Sequence, residues 1–307
     1  MRKIRGGVGL SRYTTNNLLG IVLMMLAMLL FEVMDAVAKW LLIADMSAIQ
    51  VIAIRSWMIL AMVPLILVVR GELAELRIER PVQHLLRGML GFLAPFCFFT
   101  SLKILPLADA TVVFFSAAFF LTAASALVLK EQVGIHRWGA VVVGFSGVVI
   151  AMDPQGGAAV GSYLLALCGA VVYAFIFIWG KQLSKRDSVI SLVLSLHLGM
   201  GVSACLLLPW VWVPVSAEML GMLLLMAVIA LIAHFIFTLA FARADVSVLA
   251  PFEYTALIWA TIIGYVIWLD FPSPRVWSGA VIIIGCGLYV IHRESLHHKS
   301  LKNGVSR

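Results

Sequence analysis

Apolar runs of about 15 to 25 residues recur almost end to end in this chain, and the polar connections between them are too short to fold by themselves. Ten runs are legible: Leu18–Ile43, Ala48–Val69, Leu85–Leu102, Ala110–Leu129, Trp138–Met152, Gly161–Gly180, Val189–Pro209, Met219–Ala242, Val246–Leu269 and Val276–Ile291. As helices, most reach across roughly 30 Å of hydrocarbon; the fifth and tenth are shortest and are expected to recruit flanking residues or sit where the bilayer thins. The first run is too long, and too soon followed by another, for a cleaved signal peptide. The pattern predicts an all-α integral membrane protein of ten transmembrane helices.

Composition agrees, with 63% hydrophobic and only 12% charged residues among 307, so no extramembrane catalytic domain is expected. Of the 22 Lys and Arg residues, eighteen fall in alternate connections and tails on one side, two (Lys103, Arg275) on the other, and two (Lys39, Arg55) within spans. The positive-inside rule then puts both termini in the cytoplasm of a multi-pass protein of the cell (inner) membrane. The net charge of +7 is explained by basic inner loops meeting anionic lipid rather than by nucleic acid. Cys97, Cys168, Cys205 and Cys286 lie inside apolar runs without CxxC spacing, and no metal or cofactor site is expected.

The polar connection 153–159 splits the spans five and five. Ala108-Asp109, Trp138-Gly139-Ala140-Val141 and Gly147 are echoed by Ala244-Asp245, Trp277, Gly279-Ala280-Val281 and Gly287. A repeat with an odd number of spans enters the membrane in opposite directions, so the halves are expected to be inverted. The expected division is a first five-helix repeat over 1–153 with a basic tail at 1–17, a linker at 154–160, a second repeat over 161–292 and a basic cytoplasmic tail at 293–307.

Several spans carry groups that hydrocarbon excludes. Glu32, Asp35 and Lys39 fall within about 60° on one helix face. A charge near the bilayer centre costs roughly 2.5–3.5 kcal/mol, so this stripe must face other helices or a wet cavity. It reads either as a structural ion pair, Asp35 with Lys39 at i,i+4, or as a substrate- or proton-binding face on which Glu32 lacks a local partner. Arg55, expected beside Lys39, either snorkels or joins it in attracting an anionic group. In span nine, Pro251-Phe252-Glu253-Tyr254 combines a proline hinge with an acid and a phenol. Tyr173 and Trp259 lie deep enough to line a cavity, although core packing explains either one. His197 and His234 stand alone on their spans and read as interhelical donors. Gly144, Gly147, Gly285 and Gly287 read as close-contact positions of spans five and ten, and Leu269-Asp270 as a loop anchor. Trp40, Trp138, Trp210, Trp212, Trp268 and Trp277 read as interfacial belt. No Ser/His/Asp, HExxH or paired-histidine arrangement is legible, so an enzyme is not expected.

Ten spans in two halves, with the run from Ala108 to Val149, resemble the drug/metabolite transporter superfamily, specifically its EamA-type members. Met34-Asp35-Ala36-Val37-Ala38-Lys39, Arg55, His84-Leu85-Leu86-Arg87-Gly88 and Ala250-Pro251-Phe252-Glu253-Tyr254 look most like the branch of S-adenosylmethionine and riboflavin uptake proteins. YddG-like amino-acid exporters are more distant. The resemblance implies a secondary transporter with a central site between the halves, opened alternately to each side for a small-molecule solute, vitamin- or cofactor-like or amino-acid-like. It implies no particular solute, direction, coupling ion or oligomeric state. In one departure from the family pattern, many relatives carry a proline in mid span four, where this chain has Ser116-Ala117-Ala118-Phe119, which leaves Pro251 as the clearer kink. The expected site residues are Glu32, Asp35, Lys39, Arg55, Tyr173, Glu253, Tyr254 and Trp259.

Overall fold

A computed structural model describes residues 16–70, 78–128, 130, 134–152, 159–184, 187–244 and 246–304, without the side chains of 69–70, 189, 246–247 and 294–304. The basic N-terminal tail, most of the 153–159 connection, Glu131 and Asp245 lie outside the described residues. All regular structure among those residues is helical. The helices are α1 (Asn17–Ile43), α2 (Ala48–Arg70), α3 (Pro81–Gly91), α4 (Leu93–Leu102), α5 (Leu107–Phe114), α6 (Ala117–Val128), α7 (Ile135–Met152), α8 (Val160–Leu183), α9 (Val189–Leu207), α10 (Ala217–Arg243), α11 (Val246–Glu253), α12 (Thr255–Trp268) and α13 (Pro274–Gly304). They compose ten stretches long and apolar enough to cross a membrane, with spans three, four and nine each made of two helices end to end.

Local chemistry sets many of the ends. Asn16, Ser188 and Ser216 cap α1, α9 and α10 by accepting from the backbone N–H three residues on. Leu269 closes α12 in the left-handed conformation. Span three begins at Pro81 rather than Leu85, and spans five and ten at Ile135 and Pro274. The added turns carry polar side chains such as His84 and His136, which lower hydropathy without interrupting a helix. Spans five and ten are therefore not truncated.

Packing reveals an inverted repeat. Span two lies on seven (α2 on α9), four on nine (α5 on α12) and five on ten (α7 on α13), while one pairs with eight (α1 on α10) as three pairs with six (α4 on α8). Exchanging the halves maps this set onto itself, as a pseudo-two-fold axis in the membrane plane requires. Glycines permit the closest crossings. A Cβ on Gly88 or Gly199 would strike the facing backbone of α9 or α3, and Gly147 and Gly279 stand in the same relation across α7 and α13. The crossing of spans five and ten thus uses Gly147 and Gly279. Gly144 instead seats the Phe119 ring, Gly287 seats Tyr254, and Gly285 has open space beside it.

Both symmetry-related spans four and nine break in mid-membrane. In span nine the interruption is at Tyr254, three residues after Pro251, and Thr255 Oγ1 donates to the Phe252 carbonyl there at 2.6 Å. Span four breaks without a proline. Ser116 N–H bonds Val113 O and Phe119 N–H bonds Ser116 O, three-residue closures that insert a tighter turn between α5 and α6. Pro251 is therefore not the sole pivot. The halves remote from the termini, α5 and α12, pack together. The other halves take different partners, α6 lying on α7 and α8 and α11 on α1 and α13.

Candidate functional site

The end of the bundle remote from the termini is closed by side chains. Lys39, buried at the end of α1, donates to Asp270 Oδ2 and to the Leu105 carbonyl, both at 2.9 Å, and sits 4.8 Å from the Trp268 ring. Beneath it the Tyr163 hydroxyl donates to Asp109 Oδ2 at 2.7 Å. Gln50 exchanges two hydrogen bonds with the backbone of Val213, and Lys103 pairs with Asp45 at 3.2 Å on the rim. This arrangement corrects two expectations. Lys39 pairs across the halves with Asp270 rather than along its helix with Asp35, so Leu269-Asp270 is part of a closure and not simply a loop anchor. Trp268, the last residue of α12, also lies against the ammonium.

One to two turns deeper along α1, the remaining charges have little to bind. Glu32 is 4% exposed and among the described residues receives only long contacts from Thr111 Oγ1, 3.4 Å to each carboxylate oxygen. Arg55, on α2, is 8% exposed. One of its terminal nitrogens reaches Met34 Sδ at 3.8 Å and its guanidinium lies 5.3 Å from the Phe99 ring. Its Nε is buried without a partner, and among the described residues no carboxylate lies within 4.0 Å of it. Asp35 acts on Arg55 electrostatically without closing an ion pair. Arg55 is therefore level with Met34 and Asp35 and not beside Lys39, because α2 descends antiparallel from the short Ala44–Ser47 turn. His197 and His234 also feel Arg55. His197 bonds its own helix at Val193 O, 3.0 Å, and His234 meets Phe31 at 4.9 Å. Neither histidine is a simple interhelical donor, and only folding brings them to the same cation.

The second half contributes the other wall. Tyr173, in the middle of α8, is 42% exposed although ringed by Phe114 (5.4 Å) and Phe177 (6.1 Å), as on the side of an internal cleft. Glu253 acts electrostatically on Tyr173 and Tyr254 and has no hydrogen-bond partner among the described residues. Tyr254, at the break of span nine, meets Phe115, at the break of span four, edge to face at 5.2 Å. Trp259 packs in an apolar cluster with Met24, Ala27 and Met28, its Nε1 buried and unpartnered. The expected residues thus sort into three places: Lys39 in the closure, Glu32, Asp35 and Arg55 together at mid-depth, and Tyr173, Glu253 and Tyr254 around the breaks, with Trp259 in the adjoining packing.

Toward the termini, folding assembles a Ser/His/Asp arrangement that the sequence does not betray. His84 binds Ser195 Oγ at 2.7 Å through Nδ1 and Asp187 Oδ2 at 2.8 Å through Nε2. Asp187 also accepts the Glu79 N–H, and Arg87 donates to the carbonyls of Ile176 and Leu192. His84 is 1% exposed, so the group clamps α3 to α9 rather than offering a nucleophile to a substrate. Residues 103 and 111 positions apart form it, which is why spacing gave no signal. Among the described residues no group of His, Cys, Asp and Glu has the geometry to hold a metal.

What this arrangement offers chemically is unspent charge and open aromatic surface midway through an apolar bundle, sealed at one end. Comparison with known proteins fits that description. Residues 18–152 and 160–292 each match the EamA-like transporter family. An S-adenosylmethionine uptake transporter of Rickettsia felis is 30% identical over 219 residues, 71% of this chain and 74% of that protein. A riboflavin transporter of Rhizobium johnstonii is 26% identical over 284 residues (90% and 91%), and the pseudopaline exporter CntI of Pseudomonas aeruginosa 26% over 270 (86% and 93%). A solved crystal structure superposes with a TM-score of 0.61 at 20% identity, covering 89% of this chain and 97% of its own, a likeness of fold.

Proposed function

The chain belongs to the EamA-like transporter family, and from that premise we propose that it is a secondary carrier moving a small organic metabolite across the cytoplasmic (inner) membrane by alternating access. The observation that carries this reading is the pair of broken spans. They touch through α5 and α12 beneath the Lys39 closure and part company toward the termini, where α6 and α11 take other partners. Such a shape is one of the two end states that inverted repeats allow, open toward the termini. The excess of basic residues on that side supports a cytoplasmic opening and cytoplasmic termini.

Glu32, Asp35, Arg55, Glu253 and Tyr254 supply polar contacts to the solute, Tyr173 a stacking face, and Lys39 the outer closure. Similarity to proteins named for S-adenosylmethionine and riboflavin uptake supports a vitamin- or cofactor-like solute, and similarity to an exporter supports the reverse direction on the same fold. In proteoliposomes, Glu253→Gln and Asp35→Asn are expected to lower transport at least about tenfold while the protein stays folded, as loss of a charged contact at the site implies. Wild-type rates and affinities in both variants sink the site. Loading from either face of oriented vesicles separates uptake from export.

A further inference from the structure

Arg55 is the most conspicuous unsatisfied group in the bundle. A guanidinium offers five N–H donors in a planar fork and does not lose its charge. At 8% exposure Arg55 uses one donor, on a methionine sulfur at 3.8 Å, and its Nε is buried with no partner. The Phe99 ring at 5.3 Å supports the guanidinium while supplying no acceptor. A buried cation left this way is costly unless something else completes its shell. The acid nearest it does not do so. Asp35 reaches it only through space, and Glu32, one turn further along α1, lies within the field of Asp35 and takes long contacts from the Thr111 hydroxyl, 3.4 Å to each oxygen. Arg55 and Asp35 thus stand near one another without closing an ion pair, with a second carboxylate, Glu32, beside Asp35 on α1.

A neutral solute leaves all three charges unpaired, and a simple anion leaves both acids so. A simple cation leaves the guanidinium. A group with a carboxylate and an ammonium two bonds apart satisfies both signs at once. Resting on the carrier reading above, we infer that this mid-depth cluster is a receptor for a zwitterionic α-amino-acid head group, Arg55 taking the carboxylate through its fork and Asp35 with Glu32 taking the ammonium. The remainder of the solute then extends toward the aromatic wall where Tyr173, 42% exposed, packs beside Phe114 and suits a planar ring.

The test removes one charge at a time from the ligand, so that it does not depend on a variant folding. Binding to the detergent-purified wild-type protein is measured by calorimetry for S-adenosylmethionine against its decarboxylated amine, and for L-tryptophan against tryptamine and indole-3-propionate. Transport of the same compounds and of riboflavin is followed in proteoliposomes. A polar site rejects an analogue lacking one of its partners steeply, so at least one zwitterion is expected to bind roughly 100-fold more tightly than either truncated form. Arg55→Lys, which keeps the charge and loses the fork, is expected to weaken the zwitterion at least about tenfold and leave the amine unchanged. An amine or acid that binds as well as its zwitterion overturns the head-group assignment, as does an Arg55→Lys loss shared equally by both. Transport of riboflavin with no zwitterion bound leaves the carrier and removes the inference. Failure of every compound to bind or move removes both.

Discussion

Lys39 and Asp270, 231 positions apart, meet at 2.9 Å where the end of α1 reaches the turn after α12. The pair joins the first half of the chain to the second at the closed end of the bundle, and the Leu105 carbonyl and the Trp268 ring complete the ammonium's shell. Asp270→Asn is expected to weaken the closure by about 1–2 kcal/mol, because its side chain is 33% exposed and solvent screens part of the attraction. In a cysteine-free background carrying Ala36→Cys, a membrane-impermeant maleimide applied from the side opposite the termini then labels roughly five- to thirtyfold faster. Reversing the pair, Lys39→Asp with Asp270→Lys, recovers part of the protection; no recovery means that the contact is not the latch.

Phe115 and Tyr254 join the two breaks edge to face at 5.2 Å, so the interruptions of spans four and nine are mechanically linked. A double-mutant cycle with Phe115→Ala and Tyr254→Ala should return a coupling of about 0.5–1.5 kcal/mol in thermal unfolding. Tyr254→Phe keeps the ring and is expected to preserve that coupling.

Two neighbouring glycines of α13 are expected to behave oppositely. A Cβ on Gly287 lands on the Tyr254 hydroxyl, whereas one on Gly285 meets nothing within 4 Å. Gly287→Ala should therefore cost about 1–3 kcal/mol through overpacking and displace Tyr254 from the break. Gly285→Ala should stay within about 0.5 kcal/mol of wild type in the same melting experiment, and transport should fall only in the first.

His84, Asp187 and Ser195 are expected to stabilise rather than catalyse. His84→Ala removes the bond at Asp187 Oδ2 while the Glu79 N–H stays on Oδ1, a loss of one buried hydrogen bond expected to cost about 1–3 kcal/mol. The expected signature is a drop in melting temperature and yield, with solute affinity unchanged in the protein that folds. A fluorophosphonate that labelled Ser195 would instead reveal an accessible nucleophile.

The ten spans were legible because a bilayer imposes its demand locally: each crossing must satisfy its own backbone and present apolar side chains, so composition within one run suffices. Glu32, Asp35 and Arg55 were legible as expensive groups for the same reason, since their cost is a property of the residue and its depth. Their partners were not. Lys39 had an acid four residues before it on the same helix face, which made a local pair plausible, yet its ion pair lies in the other half of the chain. The break in span four carried no proline signal, because a tertiary contact at Phe115 and a short three-residue turn take the place of the missing residue.

The sequence by itself determined the class of the molecule: a ten-helix membrane bundle of two repeats with charges stranded at mid-depth and a member of a transporter family. These follow from hydropathy, periodicity and motif order, each read within a single segment. Tertiary structure decided which of those charges are spent. Lys39 is consumed by Asp270, His84 by Asp187 and Ser195, whereas Arg55 and Glu253 are left open, because pairing depends on which faces of distant helices meet, and that is settled only when the halves pack.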